Sequence, residues 1–181
     1  MKEIRFHGRG GQGVVTAADL LAMAAFYDDK YCQAFPNFGV ERRGAPVMAF
    51  ARIDDRPVRR RNQISRPDYV VVQDSTLLEV IDVSRGIKEG GSVIINTSRS
   101  PDDITLRTPA EVKTVDGTAI ALDVLGRPIV NTVMLGIFSG ITGEVSIEAV
   151  KKAVEKRFTG RIQEKNLKAV EIAYERAGEA L

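Results

Sequence analysis

Four glycines within six residues, Gly8, Gly10, Gly11 and Gly13, constrain this chain more than any other feature of its sequence. They close a short apolar-alternating run, Ile4-Arg5-Phe6-His7, and a helix-compatible segment from Ala17 to Phe26 follows at once. The pattern reads as strand, tight turn, helix. Gly8, Gly10 and Gly13 also fit the spacing G-x-G-x-x-G, in which glycine permits positive φ, close backbone approach to a ligand and close helix–strand packing. A helix starting there would aim unpaired, partly positive N–H groups at the turn, which suits an anionic group. The same glycines would equally serve a compact βα corner with no ligand.

The rest of the chain alternates between strand and helix signals. Tyr31 to Phe35 reads as a second strand ended by Pro36, and Asn37 to Pro46 holds too many breakers to be other than a loop. Val47 to Ile53 is a third strand. Asp54 to Pro57 is a turn, with Pro57-Val58-Arg59 returning as a short antiparallel edge strand. Tyr69 to Asp74 is a nearly continuous apolar strand covered on both faces, and Asp74 or Ser75 can cap a helix with Leu77, Leu78 and Ile81 on its inner stripe. Gly90-Gly91 turns into a strand at Ser92 to Thr97. Shorter β pieces are expected at Thr105-Leu106 and Val112 to Val115, and a small helix at Ala119 to Leu125.

The C-terminal third is helical. Val133 to Ile141 is apolar and punctuated by glycine, which suits either a central core helix or an apolar surface shown to a partner. Further helices begin at Ser146 and run from Gln163 to Ala180. The expected fold is α/β: a Rossmann-like three-layer sandwich with a mostly parallel sheet, an antiparallel edge and the helical C-terminal third, as a single domain spanning 1–181.

Composition narrows the chemistry. The single cysteine, Cys32, excludes an intramolecular disulfide and any cysteine-ligated iron–sulfur cluster built by this chain alone, and a single histidine leaves no ordinary zinc ligand set. No metal site is expected. No run of about eighteen apolar residues occurs and the N-terminus lacks the apolar core of a signal peptide, so no membrane contact is expected and the cytoplasm is the expected location. The formal charge is only +2, yet Arg42, Arg43, Arg52, Arg56, Arg59, Arg60, Arg61 and Arg66 fall within 25 residues, which predicts a local basic surface. Without interleaved aromatic residues, this surface is not expected to bind nucleic acid.

Among groups that could carry chemistry, the glycine turn lacks the second element of a dinucleotide site. No Asp or Glu stands at the end of the second strand to hold a ribose, since Asp28 and Asp29 precede that strand and Glu41 follows well after it. His7 and Cys32 read as packed residues, and no catalytic side chain is assigned. The loop Glu41-Arg42-Arg43-Gly44 is more informative. Its two arginines can grip phosphate or carboxylate through bidentate contacts, or face a neighbouring subunit, and the loop should lie near the glycine turn.

Taken together, Phe6-His7-Gly8-Arg9-Gly10-Gly11-Gln12-Gly13, the segment Gln33 to Val47 and the later Asn131-Thr132-Val133-Met134-Leu135-Gly136 resemble the gamma subunits of 2-oxoacid:ferredoxin oxidoreductases, and within them those acting on pyruvate. Gamma chains of the indolepyruvate and 2-oxoglutarate enzymes are the near alternative. An independent nucleotide-binding Rossmann protein and a purely structural interaction protein are alternatives from other classes. The resemblance implies a complex that decarboxylates a 2-oxoacid on thiamine diphosphate with Mg, passes electrons through four-iron–four-sulfur clusters to ferredoxin and releases acyl-CoA. It further implies that alpha, beta and delta partner subunits carry thiamine and clusters. The gamma chain would be a scaffold, inactive alone and binding none of these cofactors by itself, and a candidate contributor to CoA handling. Gly10, Gly11, Gln12 and Gly13 would offer backbone N–H groups to a phosphate or a carbonyl, and Arg42 and Arg43 would meet CoA phosphates or an acidic partner surface.

Overall fold

The computed structural model describes residues 1–37, 43–60 and 62–179. Phe38 to Arg42 of the loop motif, Arg61, Ala180, where the last helix is expected to end, and Leu181 lie outside them. Six strands form one sheet: β1 (Lys2–Arg9), β2 (Tyr31–Pro36), β3 (Pro46–Asp54), β4 (Tyr69–Val72), β5 (Ser92–Asn96) and β6 (Glu111–Val115). Their order is β2-β3-β1-β4-β5-β6. β1, β4, β5 and β6 run parallel, while β3 is antiparallel to both β1 and β2. The expected antiparallel edge is therefore made by β2 and β3. Residues 57–60 form no strand, and neither do Thr105 and Leu106. Pro57 lacks an N–H, and β3 already pairs with β1 and β2 on its two sides, so β3 has no free edge for the returning segment to join.

Side chains alternate across the sheet as the strand period demands. Ile4, Phe6, Val71 and Ile94 face one side, where they pack against α1 (Val14–Tyr27), α3 (Gly117–Leu125), α4 (Asn131–Thr142), α5 (Ile147–Arg157) and α6 (Gly160–Glu179). Val70, Val72, Val93 and Ile95 face the other, covered by Leu77, Val83, Ile87 and Ile104. That outer layer is thin: its helix α2 (Leu77–Val80) is a single turn, and the remainder is irregular chain. No side chain caps α2, because Asp74 folds back to accept from the N–H and hydroxyl of Thr76 instead.

The glycine-punctuated apolar segment is a core helix and not a displayed surface. Every residue of α4 from Asn131 to Ser139 is buried. Gly136 makes this possible, since a Cβ there would run into the carbonyl of Val170 and the methyl of Ala173, so α6 lies directly on the α4 backbone. Among the described residues no helix is long and apolar enough to cross a membrane.

One arginine of the expected basic surface is inside. Arg52 is fully buried, whereas Arg43, Arg56, Arg59, Arg60 and Arg66 are exposed. Its position on β3 brings it to the carbonyls of Arg60 and Asn62, and all three of its guanidinium nitrogens donate. Nε donates to Glu3 Oε1 at 3.0 Å, Nη1 to Gln33 Oε1 and the Arg60 carbonyl, and Nη2 to the Asn62 carbonyl at 2.6 Å. The guanidinium also stacks over Phe35 at 5.2 Å. Glu3 is 7% exposed and has a second cation, Lys88, at 3.5 Å. One side chain thus ties β1, β2 and β3 to the backbone at Arg60 and Asn62. Removing one partner of a buried pair leaves the other charge uncompensated. Arg52→Met is accordingly expected to lower stability by about 3 kcal/mol in urea unfolding, against about 0.5 kcal/mol or less for exposed Arg59→Ala; equal effects would contradict this account.

Candidate functional site

The chain leaves β1 and β4 in opposite directions, toward β2 on one side and β5 on the other, so a crevice opens beyond their carboxyl ends. It has a volume of about 460 Å3 and is lined by Gln12 of the glycine turn, Gln73 and Asp74 after β4, Asn96 at the end of β5, and the starts of α3 and α4 at Thr118 and Val130.

The turn itself is strictly a glycine structure at Gly13, where φ is 72° and a Cβ would stand 2.6 Å from the Asn131 amide nitrogen. α1 begins immediately afterwards with no side-chain cap. Two of the four turn amides proposed to bind an anion are already engaged: the Gly10 N–H donates to the Ala45 carbonyl at 2.9 Å and the Gln12 N–H to the Arg9 carbonyl at 3.0 Å. The N–H groups of Gly11 and Gly13 have no protein partner among the described residues. In return the Gly44 N–H donates to the Gly10 carbonyl at 3.0 Å, so residues 43–45 lie along the turn as an added bridge. Arg43 is exposed, and its side chain passes about 4.0 Å from the space a Gly11 Cβ would fill. Arg42 lies outside the described residues.

The turn is braced by residues that sequence reading passed over. Arg9 donates through Nη1 to the Gly44 carbonyl and through Nη2 to the Thr76 hydroxyl, and pairs with Asp74 at 3.2 Å. Gln12 accepts from the Arg9 N–H and donates to Asp74 at 2.8 Å. Burial alone would raise the Asp74 pKa, but the donors Thr76 and Gln12, with the Arg9 charge, hold it below the usual carboxylate range. Arg9 occupied a variable position of the glycine motif, and nothing in the sequence marked it.

Gln73 is the least expected member. It is 1% exposed, yet neither polar atom of its carboxamide has a partner among the described residues. Its Oε1 lies 3.3 Å from where a Gly8 Cβ would be, at the floor of the crevice. An unpaired buried amide costs about 1–3 kcal/mol, which marks a site where something else supplies the bonds. A polar residue directly after the apolar run Val70 to Val72 was the available signal.

The geometry also departs from that of a dinucleotide site. The strand beside β1 on this side is antiparallel β3, whose first residue, Pro46, pairs with Arg9. A ribose-binding carboxylate would have to come from the end of a parallel strand there.

The family profile described as pyruvate ferredoxin/flavodoxin oxidoreductase matches residues 3–176. The chain is 63% identical to the pyruvate synthase subunit PorC of Methanocaldococcus jannaschii over 174 residues, covering 96% of each chain. It is 54% identical to the common gamma subunit of the pyruvate/ketoisovalerate oxidoreductases of Thermococcus litoralis, covering 97% of each. Among solved structures, the pyruvate oxidoreductase subunit PORC of Thermotoga maritima superposes with a TM-score of 0.86 at 39% identity, covering 97% of this chain and 96% of that one. The chain belongs to the pyruvate ferredoxin/flavodoxin oxidoreductase family. The family and the gamma-subunit class expected from the paired motifs both stand.

Within this family member the lone histidine has no access to the crevice. His7 is 2% exposed, β1 continues two residues past it, and its Nε2 accepts from Arg5 Nε at 3.0 Å on the opposite face of the sheet. Arg5 is held by the carbonyls of Val83 and Arg85. Burial, and secondarily the Arg5 charge, push the His7 pKa down to about 3. The unfolded chain therefore takes up a proton below about pH 6.5 that the folded one refuses, and stability is lost as pH falls from there toward 3, by up to about 1.4 kcal/mol per pH unit. His7→Gln is expected to flatten the stability–pH slope between pH 6 and 4 in denaturant titrations; an unchanged slope would contradict the burial of a neutral imidazole.

Proposed function

We propose that this chain is the gamma subunit of a cytoplasmic pyruvate:ferredoxin oxidoreductase and that its crevice and glycine turn contact CoA. The bond-making chemistry belongs to the partner subunits. A cluster needs several thiolates, and this chain offers only Cys32, partly buried on β2, so it fits neither cluster binding nor catalysis. Alpha, beta and delta subunits, carrying thiamine diphosphate with Mg and iron–sulfur clusters and delivering electrons to ferredoxin, complete the proposal. CoA, when bound, supplies the thiol that accepts the acyl group.

The residues here fit a diphosphate beside an amide-bearing tail. The free N–H groups of Gly11 and Gly13, the uncapped start of α1 and the guanidinium of Arg43 suit phosphate, and Arg42 is assigned the same role. Asp74 does not oppose this, since Arg9 pairs with it. The single observation carrying the reading is Gln73, whose buried, unpartnered carboxamide at the crevice floor matches the donor and acceptor of a ligand amide or base.

A second reading of substrate range is favoured by the relative that is named as a subunit common to pyruvate and ketoisovalerate oxidoreductases. On that reading one gamma chain serves more than one complex, and the thiamine-bearing subunits choose the 2-oxoacid.

The test uses the assembled complex. Arg42→Ala/Arg43→Ala and, separately, Gln73→Ala are each expected to raise the KM for CoA about tenfold, equivalent to about 1.4 kcal/mol, with the KM for pyruvate unchanged. Unchanged CoA dependence in both variants removes CoA contact from this chain, and loss of assembly in the arginine variant assigns that loop to an interface.

A further inference from the structure

On the far side of Asn131 from the crevice, a second and larger groove of about 550 Å3 runs between the α3–α4 connection and the start of α6. Its walls are apolar: Leu125 and Ile129 on one side, Phe158 and Ile162 on the other. Two of these protrude into solvent, Ile162 at 63% and Ile129 at 46% exposure, in a chain whose other large apolar side chains are mostly inside. Single exposed apolar residues are ordinary, but a lined groove flanked by two of them is not.

The rim carries one sign of charge. Arg127, Arg161 and Lys165 line the groove, no Asp or Glu is among its lining residues, and none of the three takes part in an ion pair among the described residues. Arg161, Ile162 and Lys165 recur at helical spacing on one face of the first turns of α6, so the mixed apolar and basic surface is built on a rigid element.

We infer that this groove docks an acidic amphipathic helix from a partner subunit, seating apolar side chains between Ile129 and Ile162 and placing Asp or Glu against Arg127, Arg161 and Lys165. Charge complementarity selects the occupant: an apolar floor with an unpaired cationic rim is matched by the opposite face of a helix laid into it. Asn131 belongs to the groove and also packs on Gly13, so a helix docked here sits against the wall of the glycine turn and fixes how the crevice meets the neighbouring chain.

The inference rests on the subunit reading above, and the experiment separates the two. Wild type, Arg127→Glu/Arg161→Glu/Lys165→Glu and Ile129→Ser/Ile162→Ser are each titrated against the gamma-free partner complex by calorimetry, at low and high salt, after circular dichroism has verified folding. Expected are a loss of tenfold or more in affinity for both variants and a weaker salt dependence for the charge-reversed one. A photocrosslinker at Ile162 in the wild-type background is expected to capture an acidic partner helix. Variants that bind like wild type, or capture of a segment without acidic residues, overturn the docking helix. Normal assembly with raised CoA KM in the charge-reversed variant overturns it in favour of a small-anion site. Failure of the wild-type chain to bind the partner complex at all overturns the subunit reading and the docking helix with it.

Discussion

The antiparallel pairing of β3 with β1 is the constraint on which the functional end of this molecule depends. The ladder runs unbroken from Lys2 opposite Ile53 to Arg9 opposite Pro46. Because β3 enters the sheet beside the carboxyl end of β1, the residues that precede it are delivered onto the glycine turn, where the Gly10 and Gly44 hydrogen bonds fasten them. A parallel strand at that position would have brought its own carboxyl end there, and with it the geometry of a ribose site. The inserted strand substitutes a basic segment for an acidic one, which changes what the crevice can hold.

Charge is divided between two faces of this arrangement. Arg52 and Arg5 are buried, and each spends its donors on carbonyls and carboxylates or on an imidazole, holding irregular chain against the sheet where the outer layer has little helix to do so. The arginines left outside, with the rim of the α6 groove, are free to meet partners. The interior cations brace the sheet, while the exterior ones are those assigned above to anionic groups.

Much of the fold was legible because hydrophobic periodicity states it directly. The buried parallel strands at Tyr69 and Ser92, the βα turn and the C-terminal helices all follow from apolar spacing and glycine placement. What was not legible depended on partners distant in sequence. Arg52 sits in a run of exposed arginines and differs from them only because Glu3, Gln33 and Asn62 converge on it. The choice between core helix and displayed surface for Val133 to Ile141 was decided by Val170 and Ala173. At the candidate site, the glycine turn and Arg43 were singled out from the sequence, but Arg9 and Gln73 acquire meaning only once β1 and β4 lie side by side. The family resemblance carried the function further than any of these local signals.

Residue-resolved amide exchange on the isolated chain tests most directly whether β3 insertion holds the 43–45 segment on the turn. The Gly10 and Gly44 amides should exchange as slowly as the β1–β3 ladder, while those of Gly11 and Gly13 exchange at rates near those of open loop. Gly10 and Gly44 exchanging as fast as Gly11 would mean that the segment is not fastened, and that the basic loop is not presented to the crevice by the fold.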